Sequence, residues 1–256
     1  NQPPSVGTSS MNVNFGQLNN KGLDLSLSAQ IIRNKDWFWS VTLTGGHVMD
    51  QIRKISEGLK NDIDNPYDSS KPKILFVEGG SQYDIYAMRS AGIDPATGKE
   101  IFIKKNGEYT FKYDENERVA VGNTNPILQG SLMNTLRYKG FSISVATSYT
   151  FGSDYYNSTL KNKVENIDLN YNVDRRVFTD RWKQPGDHTR FLGIGTSSSS
   201  NQYSERFVEK RNELYISSIQ VMYDFAPKAI TRLGLRKLAI GFGLSDIAHI
   251  STVKFE

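Results

Sequence analysis

Residues 140–151, GFSISVATSYTF, alternate with a period of two between unlike faces. Phe141, Ile143, Val145, Tyr149 and Phe151 fall on one side; Ser142, Ser144, Ala146, Ser148 and Thr150 fall on the other. Such alternation is the pattern of a β-strand. In a soluble sandwich the apolar face would meet a second apolar sheet. Here strand after strand pairs an aliphatic and aromatic face with a small, polar one, and no helical pattern offers itself as cover. A closed barrel in lipid requires that arrangement, with apolar residues outward and polar ones toward a wet lumen.

The same alternation recurs along the chain. Residues 21–32 place Leu23, Leu25, Leu27, Ala29 and Ile31 opposite Asp24, Ser26, Ser28 and Gln30. A short polar turn at 33–36 leads into residues 37–44, with Trp37, Trp39, Val41 and Leu43 on the apolar side, so the two runs predict a hairpin. Leu132, Asn134, Leu136 and Tyr138 alternate with Ser131, Met133, Thr135 and Arg137, and Lys139-Gly140 turns that run into the strand already described. Near the end, Tyr215, Ile219, Val221, Tyr223 and Phe225 share a parity, and Leu238, Ile240, Phe242 and Leu244 oppose Lys237, Ala239, Gly241 and Gly243. The glycines leave that second face nothing with which to pack a core.

Between these runs lie turn-rich stretches. The opening NQPPSVGTSSMNVNFG has neither a charged nor an apolar leader region and reads as a loop. Residues 47–72 are expected to form a loop with about one turn of helix over 51–59. Residues 76–89 suggest a strand pair about Gly79-Gly80, Asp94 to Lys99 a turn, and Asn106-Gly107 a tight hairpin. Residues 152–202, rich in Asn, Asp, Ser and Gly, form a connection too long for a compact domain unless it has a function. The pattern predicts about ten strands, with no repeat of period 20–50.

Composition narrows the function classes. Hydrophobic content of 38% and the lack of a long apolar run rule out a helical membrane protein but not a barrel, which needs apolar residues only at alternate positions. The net charge of +4 comes from scattered residues, so nucleic-acid binding is not expected. There is no cysteine, hence no disulfide framework or thiolate metal site. His47, His188 and His249 stand apart, and no metal or cofactor is expected. The run Asp168 to Asp174 opens like a calcium loop, but Val173 stands where a glycine is needed and Thr179 where a bidentate Glu belongs. No nucleophile elbow, P-loop or paired-histidine motif is present, and catalysis is not expected.

The order of short motifs resembles the C-terminal part of the barrel of SusC/RagA-type TonB-dependent outer-membrane transporters of Bacteroidetes. Asn19-Asn20-Lys21-Gly22-Leu23-Asp24-Leu25-Ser26-Leu27 resembles that family's strand opening, and Trp37-Phe38-Trp39-Ser40-Val41 its following strand. Ala91-Gly92-Ile93-Asp94-Pro95-Ala96-Thr97-Gly98 is similar to its turn, and Asp180-Arg181-Trp182-Lys183-Gln184-Pro185-Gly186-Asp187 to its loop. Leu214-Tyr215-Ile216 sits where the family has a further strand. The resemblance implies an all-β fold: residues 1–256 as the C-terminal portion of a large antiparallel transmembrane β-barrel with long extracellular loops, without the plug domain and the final strands. About ten strands cannot close a barrel of roughly 22.

It further implies nutrient import across the outer membrane of a Gram-negative bacterium, with an oligosaccharide or peptide as ligand. A SusD-like surface lipoprotein would lie over the extracellular side, a TonB complex would contact the missing N-terminal region, and outer-membrane lipid would surround the wall. Tyr155, Tyr156, Trp182 and Asp187, aromatics and a Pro-Gly turn in a polar connection, are expected on the ligand-facing loop surface. Two other classes remain open on the residues alone. A secreted or surface carbohydrate-binding β-sandwich needs large apolar residues on the second face of some strands, and a β-rich hydrolase needs a convergent acid–base pair.

Overall fold

The computed structural model describes residues 16–55, 76–167, 170, 172–196, 202–231 and 234–254. The opening loop up to residue 15 and the part of the expected 47–72 loop from residue 56 on lie outside these residues. In chain order the elements are β1 (Gly16–Arg33), β2 (Trp37–Ile55), β3 (Asp84–Ala87), β4 (Arg89–Ile93), β5 (Glu100–Ile103), β6 (Tyr109–Thr110), β7 (Val119–Asn123), β8 (Leu128–Tyr138) and β9 (Phe141–Tyr156). Then follow helices α1 (Ser158–Val164) and α2 (Arg176–Thr179), strand β10 (Val208–Asp224), helix α3 (Pro227–Ile230) and strand β11 (Ala239–Ser251). The strands match the expected number but divide into two kinds. Six long ones form a single antiparallel sheet in the order β1-β2-β8-β9-β10-β11; five short ones form a two-stranded and a three-stranded sheet.

Register makes the two faces of the long sheet continuous. Leu27, Leu43, Leu132 and Thr147 align across β1, β2, β8 and β9, while Ser26, Thr44, Ser131 and Ser148 align on the other face. On that second face hydroxyls pair across strands, Thr44 with Ser131 at 2.8 Å, Ser28 with Thr42 at 3.2 Å and Thr135 with Ser144 at 3.3 Å. None of the described residues from 16 to 51 or 128 to 152 is buried, and Leu23, Leu25, Phe242 and Ile250 stand open on the apolar face. No second sheet covers that face among the described residues, as a sandwich would require.

One row of the apolar face is aromatic. Trp37, Tyr138, Phe141 and Tyr223 align across β2, β8, β9 and β10, with the Trp37 and Tyr138 rings 4.3 Å apart. Tyr149 and Phe151 stack 5.5 Å apart toward the other end of β9. From Phe141 to Phe151 is ten steps along β9, or roughly 33 Å of strand. Tilted by about 40°, that run rises about 25 Å, the height of the apolar band between the aromatic girdles of an outer-membrane barrel.

The two ends of the sheet differ. At one end β1 and β2 join through Asn34, whose side chain accepts from the Trp37 amide at 2.7 Å; β8 and β9 join through Lys139-Gly140, with Lys139 at φ 52; and α3 joins β10 to β11. At the other end the long connections 56–127 and 157–207 leave the sheet, carrying β3–β7, α1 and α2. Nearly every buried residue among those described lies in this cap. Its core gathers Ile85, Ala87, Tyr156, Leu160, Val164, Phe191, Tyr203 and Phe207.

Several expectations need correction. Residues 47–55 continue β2 instead of looping, because Ile52 and Ile55 find buried places against the cap. Gly79-Gly80 turns the chain but not into a hairpin, since β3 pairs with β7. Residues 152–156 continue β9. The Asn106-Gly107 turn does close a hairpin between β5 and β6, with Gly107 at φ 91.

Tyr215 is misplaced by simple parity. Between Ile216 and Ser218, β10 carries one residue more than β9, and Ser217 anchors this bulge by donating to the Ala146 carbonyl at 3.0 Å. A bulge inverts the alternation beyond it. Leu214 and Ile216 therefore continue the apolar face of Ile219, Val221 and Tyr223, while Tyr215 pairs with Ser148 on the polar face.

Candidate functional site

The cap is where the chain departs from a plain wall, and its sequence shows how it is held. Asn157 ends β9 and caps α1, its Oδ1 accepting from the Leu160 amide at 2.8 Å. This first turn swings Leu160 and Val164 onto the ring of Phe207, which stands just before β10. Tyr156 meets Tyr203 edge-on with ring centroids 5.6 Å apart.

At the centre lies a buried ionic knot that joins the two long connections. Arg206 reaches Glu100, on β5 in the first connection, at 2.6 Å, and Glu165, after α1 in the second, at 2.9 Å. Ser204 also bonds Glu100, and Glu165 accepts from the Leu192 amide at 2.9 Å. Burial works against the Arg206 charge, but Glu100 and Glu165 outweigh it and push its pKa upward. Nearby, Lys161 bonds the Gln202 carbonyl and sits 5.3 Å over the Tyr203 ring; burial pulls its ammonium down to about 8, against the attraction of Glu165 and Glu100. Arg181 donates to the carbonyls of Leu192, Val164 and Gly193. Buried charges need pairing or hydrogen bonds to offset their desolvation. Arg206 has both through Nη1 and Nη2, while its Nε finds no partner among the described residues, and Arg181 is held by carbonyls.

The two motifs that carried the family resemblance are docked on each other. Trp182 Nε1 donates to the Pro95 carbonyl at 2.9 Å, and the Gly186 amide donates to the same oxygen at 2.9 Å. Gly98, at φ +68, lies so close to Trp182 that a Cβ there would stand 2.5 Å from the ring. Asp187 closes its own loop, its Oδ2 accepting from the Lys183 and Gln184 amides at 3.0 Å each.

The four residues expected on a ligand-facing loop thus separate. Tyr156 is 7% exposed inside the cap core, so it presents no face to a ligand. Its ring is buried because Tyr203 and Phe207 complete the core around it. Trp182 and Asp187 are half-buried and engaged within the cap. Tyr155 is half-buried on the polar side. An extra residue of β9 at Gly152, φ 75, turns Ser153 and Tyr155 to the face of Arg211 and Glu213. Arg211 stands 5.8 Å over the Tyr155 ring.

Sequence reasoning missed Glu100, Lys161, Glu165 and Arg206. Their one signal is the aromatic flanking of Arg206 by Phe207, too common to single them out. Of the calcium-like run, Asp168, Leu169 and Tyr171 lie outside the described residues. Asp174 is held by Arg176 at 2.7 Å, which brings its carboxyl down to about 2. Among the described residues no group of three or more His, Asp or Glu could hold a metal ion, and no helix is long and apolar enough to cross a membrane.

No protein-family model matches the chain. TonB-dependent receptor P39 of Formosa agariphila is 23% identical over 96% of this chain, and TonB-dependent receptor P3 of the same organism is 25% identical over 62%. The chain spans 28% and 17% of the lengths of these curated relatives. Among solved structures, the RagAB peptide transporter superposes with a TM-score of 0.78 at 19% identity, covering 98% of this chain and 28% of that one. The RagAB peptide importer in its open-open state gives 0.77 at 21% identity, over 99% and 27%. These relatives are named as receptors, transporters and importers, not as enzymes. In sequence the chain is thus similar to TonB-dependent receptors, and in fold it is similar to a section of the barrel of the RagAB importers.

Proposed function

We propose that this chain forms wall and extracellular cap of an outer-membrane nutrient importer. One observation carries the reading. The six-stranded sheet has an apolar face left uncovered among the described residues, with an aromatic row at one end and the Tyr149–Phe151 pair toward the other, and its long connections all leave from the same end. Outer-membrane barrels have short turns on the periplasmic side and long loops outside, so the cap faces the medium. The polar, hydroxyl-rich face is then the lumen wall, along which solute moves.

In this reading the plug and the segment that meets a TonB complex belong to parts of the protein outside these 256 residues, which make a C-terminal portion of the barrel. Lipid of the outer membrane surrounds the wall. A SusD-like surface lipoprotein closes over the cap, a role suggested by the two-component RagAB importers to which the fold is similar. The solute is an oligosaccharide or a peptide. Of the residues expected to face it, Tyr155 keeps that role, because it turns to the polar face at the cap end.

The test is fractionation of the source cells followed by gel electrophoresis with and without heating. The reading expects a heat-modifiable band far heavier than this chain, confined to the outer membrane. A soluble band that heating does not shift contradicts it.

A further inference from the structure

The polar face departs from its regular alternation at the cap end, and the departures converge. The bulge at Ser217 turns Tyr215 to that face, and the extra residue at Gly152 brings Tyr155 and Arg211 to it. In β11 a third irregularity, with Asp246 at φ 54, brings Asp246 to the Tyr215 hydroxyl, which bonds its carboxylate. His249 lies edge-on to the Tyr215 ring at 6.0 Å, and its Nε2 is 3.3 Å from Glu213. Here opens a recess of about 300 Å³ lined by Ser148, Tyr149, Thr150, Glu213, Tyr215 and His249, with Asp246 reached through the Tyr215 hydroxyl. Bulges that re-aim side chains recur beside binding sites.

The chemistry of the recess is acidic against a mostly uncharged wall. Facing residues of the polar side along β1, β2, β8 and β9 are mainly Ser, Thr, Gln and Ala, and those of β11 are Gly241, Gly243 and Ser245. Glu213 and Asp246 thus bring two carboxylates together on a face whose other charges include Asp24 on β1, strands away, and Arg137 on β8, at the far end. Arg211 offsets their charge weakly: its contact with Glu213 is 3.9 Å, and its Nε donates to Ser153 at 3.2 Å. Hydroxyls and a phenol ring beside two carboxylates suit an alkylammonium group, whose charge meets the carboxylates and whose methylenes lie on the ring.

We propose that this recess is a lumenal subsite for a primary amine carried by the transported solute, as on a basic peptide. It lies at the end of the wall nearest the cap, where a solute entering from outside arrives first. The proposal rests on the lumen reading of the polar face given above.

The test uses the full-length transporter that contains this chain, purified in detergent. Trilysine is titrated by calorimetry at physiological salt, with fully acetylated trilysine as control. Saturable binding of trilysine alone is expected. Glu213→Gln and Asp246→Asn, each checked for a heat-modifiable band, should weaken it at least tenfold, and Asp24→Asn, on the same face two strands beyond β8, should leave it unchanged. No saturable heat, equal binding of the acetylated peptide, or wild-type affinity in both amide variants would overturn the subsite. Labelling of the Ser144→Cys variant by a membrane-impermeant maleimide separates the two readings. If that variant labels and trilysine does not bind, the amine subsite alone falls; if it does not label, the lumen reading falls with it.

Discussion

The Tyr149 hydroxyl donates to the Thr44 carbonyl at 2.7 Å, reaching across the intervening strand β8. The residue of β8 in that path is Gly130, in register with Tyr149 on one side and Gly45 on the other. A Cβ on Gly130 would overlap the Thr44 oxygen and stand 2.7 Å from the Tyr149 hydroxyl. The two glycines clear a lane for the ring, and the ring covers backbone that the glycines leave bare, a recognised device for pinning register.

Gly130→Val fills this lane and should destabilise the wall by about 1–3 kcal/mol, the usual cost of overpacking. Tyr149→Phe keeps the ring and removes one hydrogen bond, for about 1 kcal/mol. Urea titration of the folded, heat-modifiable band should rank the two in that order.

Trp182 holds the turn 91–98 to the loop 181–187 through Pro95 and Gly98. Trp182→Ala should loosen the cap by about 3 kcal/mol, the lower end for removing such a ring. Limited trypsin digestion should then cut at Lys183, an accessible site, faster than in the wild-type protein. An unchanged cleavage rate would show that the two motifs are held elsewhere.

Arg206 joins the two long connections through buried carboxylates. Arg206→Met leaves Glu100 and Glu165 without their cation, and breaking a buried pair costs about 3–5 kcal/mol. Hydrogen exchange should speed up across residues 157–165 and 100–103 together, while the wall strands keep their protection.

Lys161 gives the cap a pH dependence of definite sign. Its folded pKa is lowered to about 8 from the usual 10.5. Below about 8 both closed and open caps bind the proton. Between there and the usual value the open cap binds a proton that the closed cap does not, so closure gains with rising pH. Protection of residues 157–165 should increase from pH 8 to pH 10, and Lys161→Met should abolish the increase.

The wall was legible in the sequence where alternation runs unbroken. Leu23 to Ala29, Trp37 to Leu43 and Phe141 to Val145 keep their expected faces because each strand there is free of bulges. Tyr215 and Tyr155 were hidden because one extra residue, at Ser217 and at Gly152, inverts the parity beyond it, and Ser217 carries no sign of it. The cap core was hidden for another reason. Nothing in the sequence sets Glu100, Lys161, Glu165 and Arg206 apart from other charged residues, and only the three-dimensional joining of two long connections buries them. Tyr156, an aromatic in a polar stretch, was read as a ligand surface when it is a core ring.

The central claim is that the apolar face of the long sheet meets lipid and the polar face meets water. Single cysteines at positions 141 to 151 of the full-length protein, in intact outer membranes, test it most directly with a water-soluble maleimide. The account predicts a period of two: substitutions at Ser142, Ser144, Ala146 and Ser148 label, and those at Phe141, Ile143, Val145 and Tyr149 do not. Equal labelling of both sets, or labelling of the Ile143 and Val145 positions alone, would contradict it.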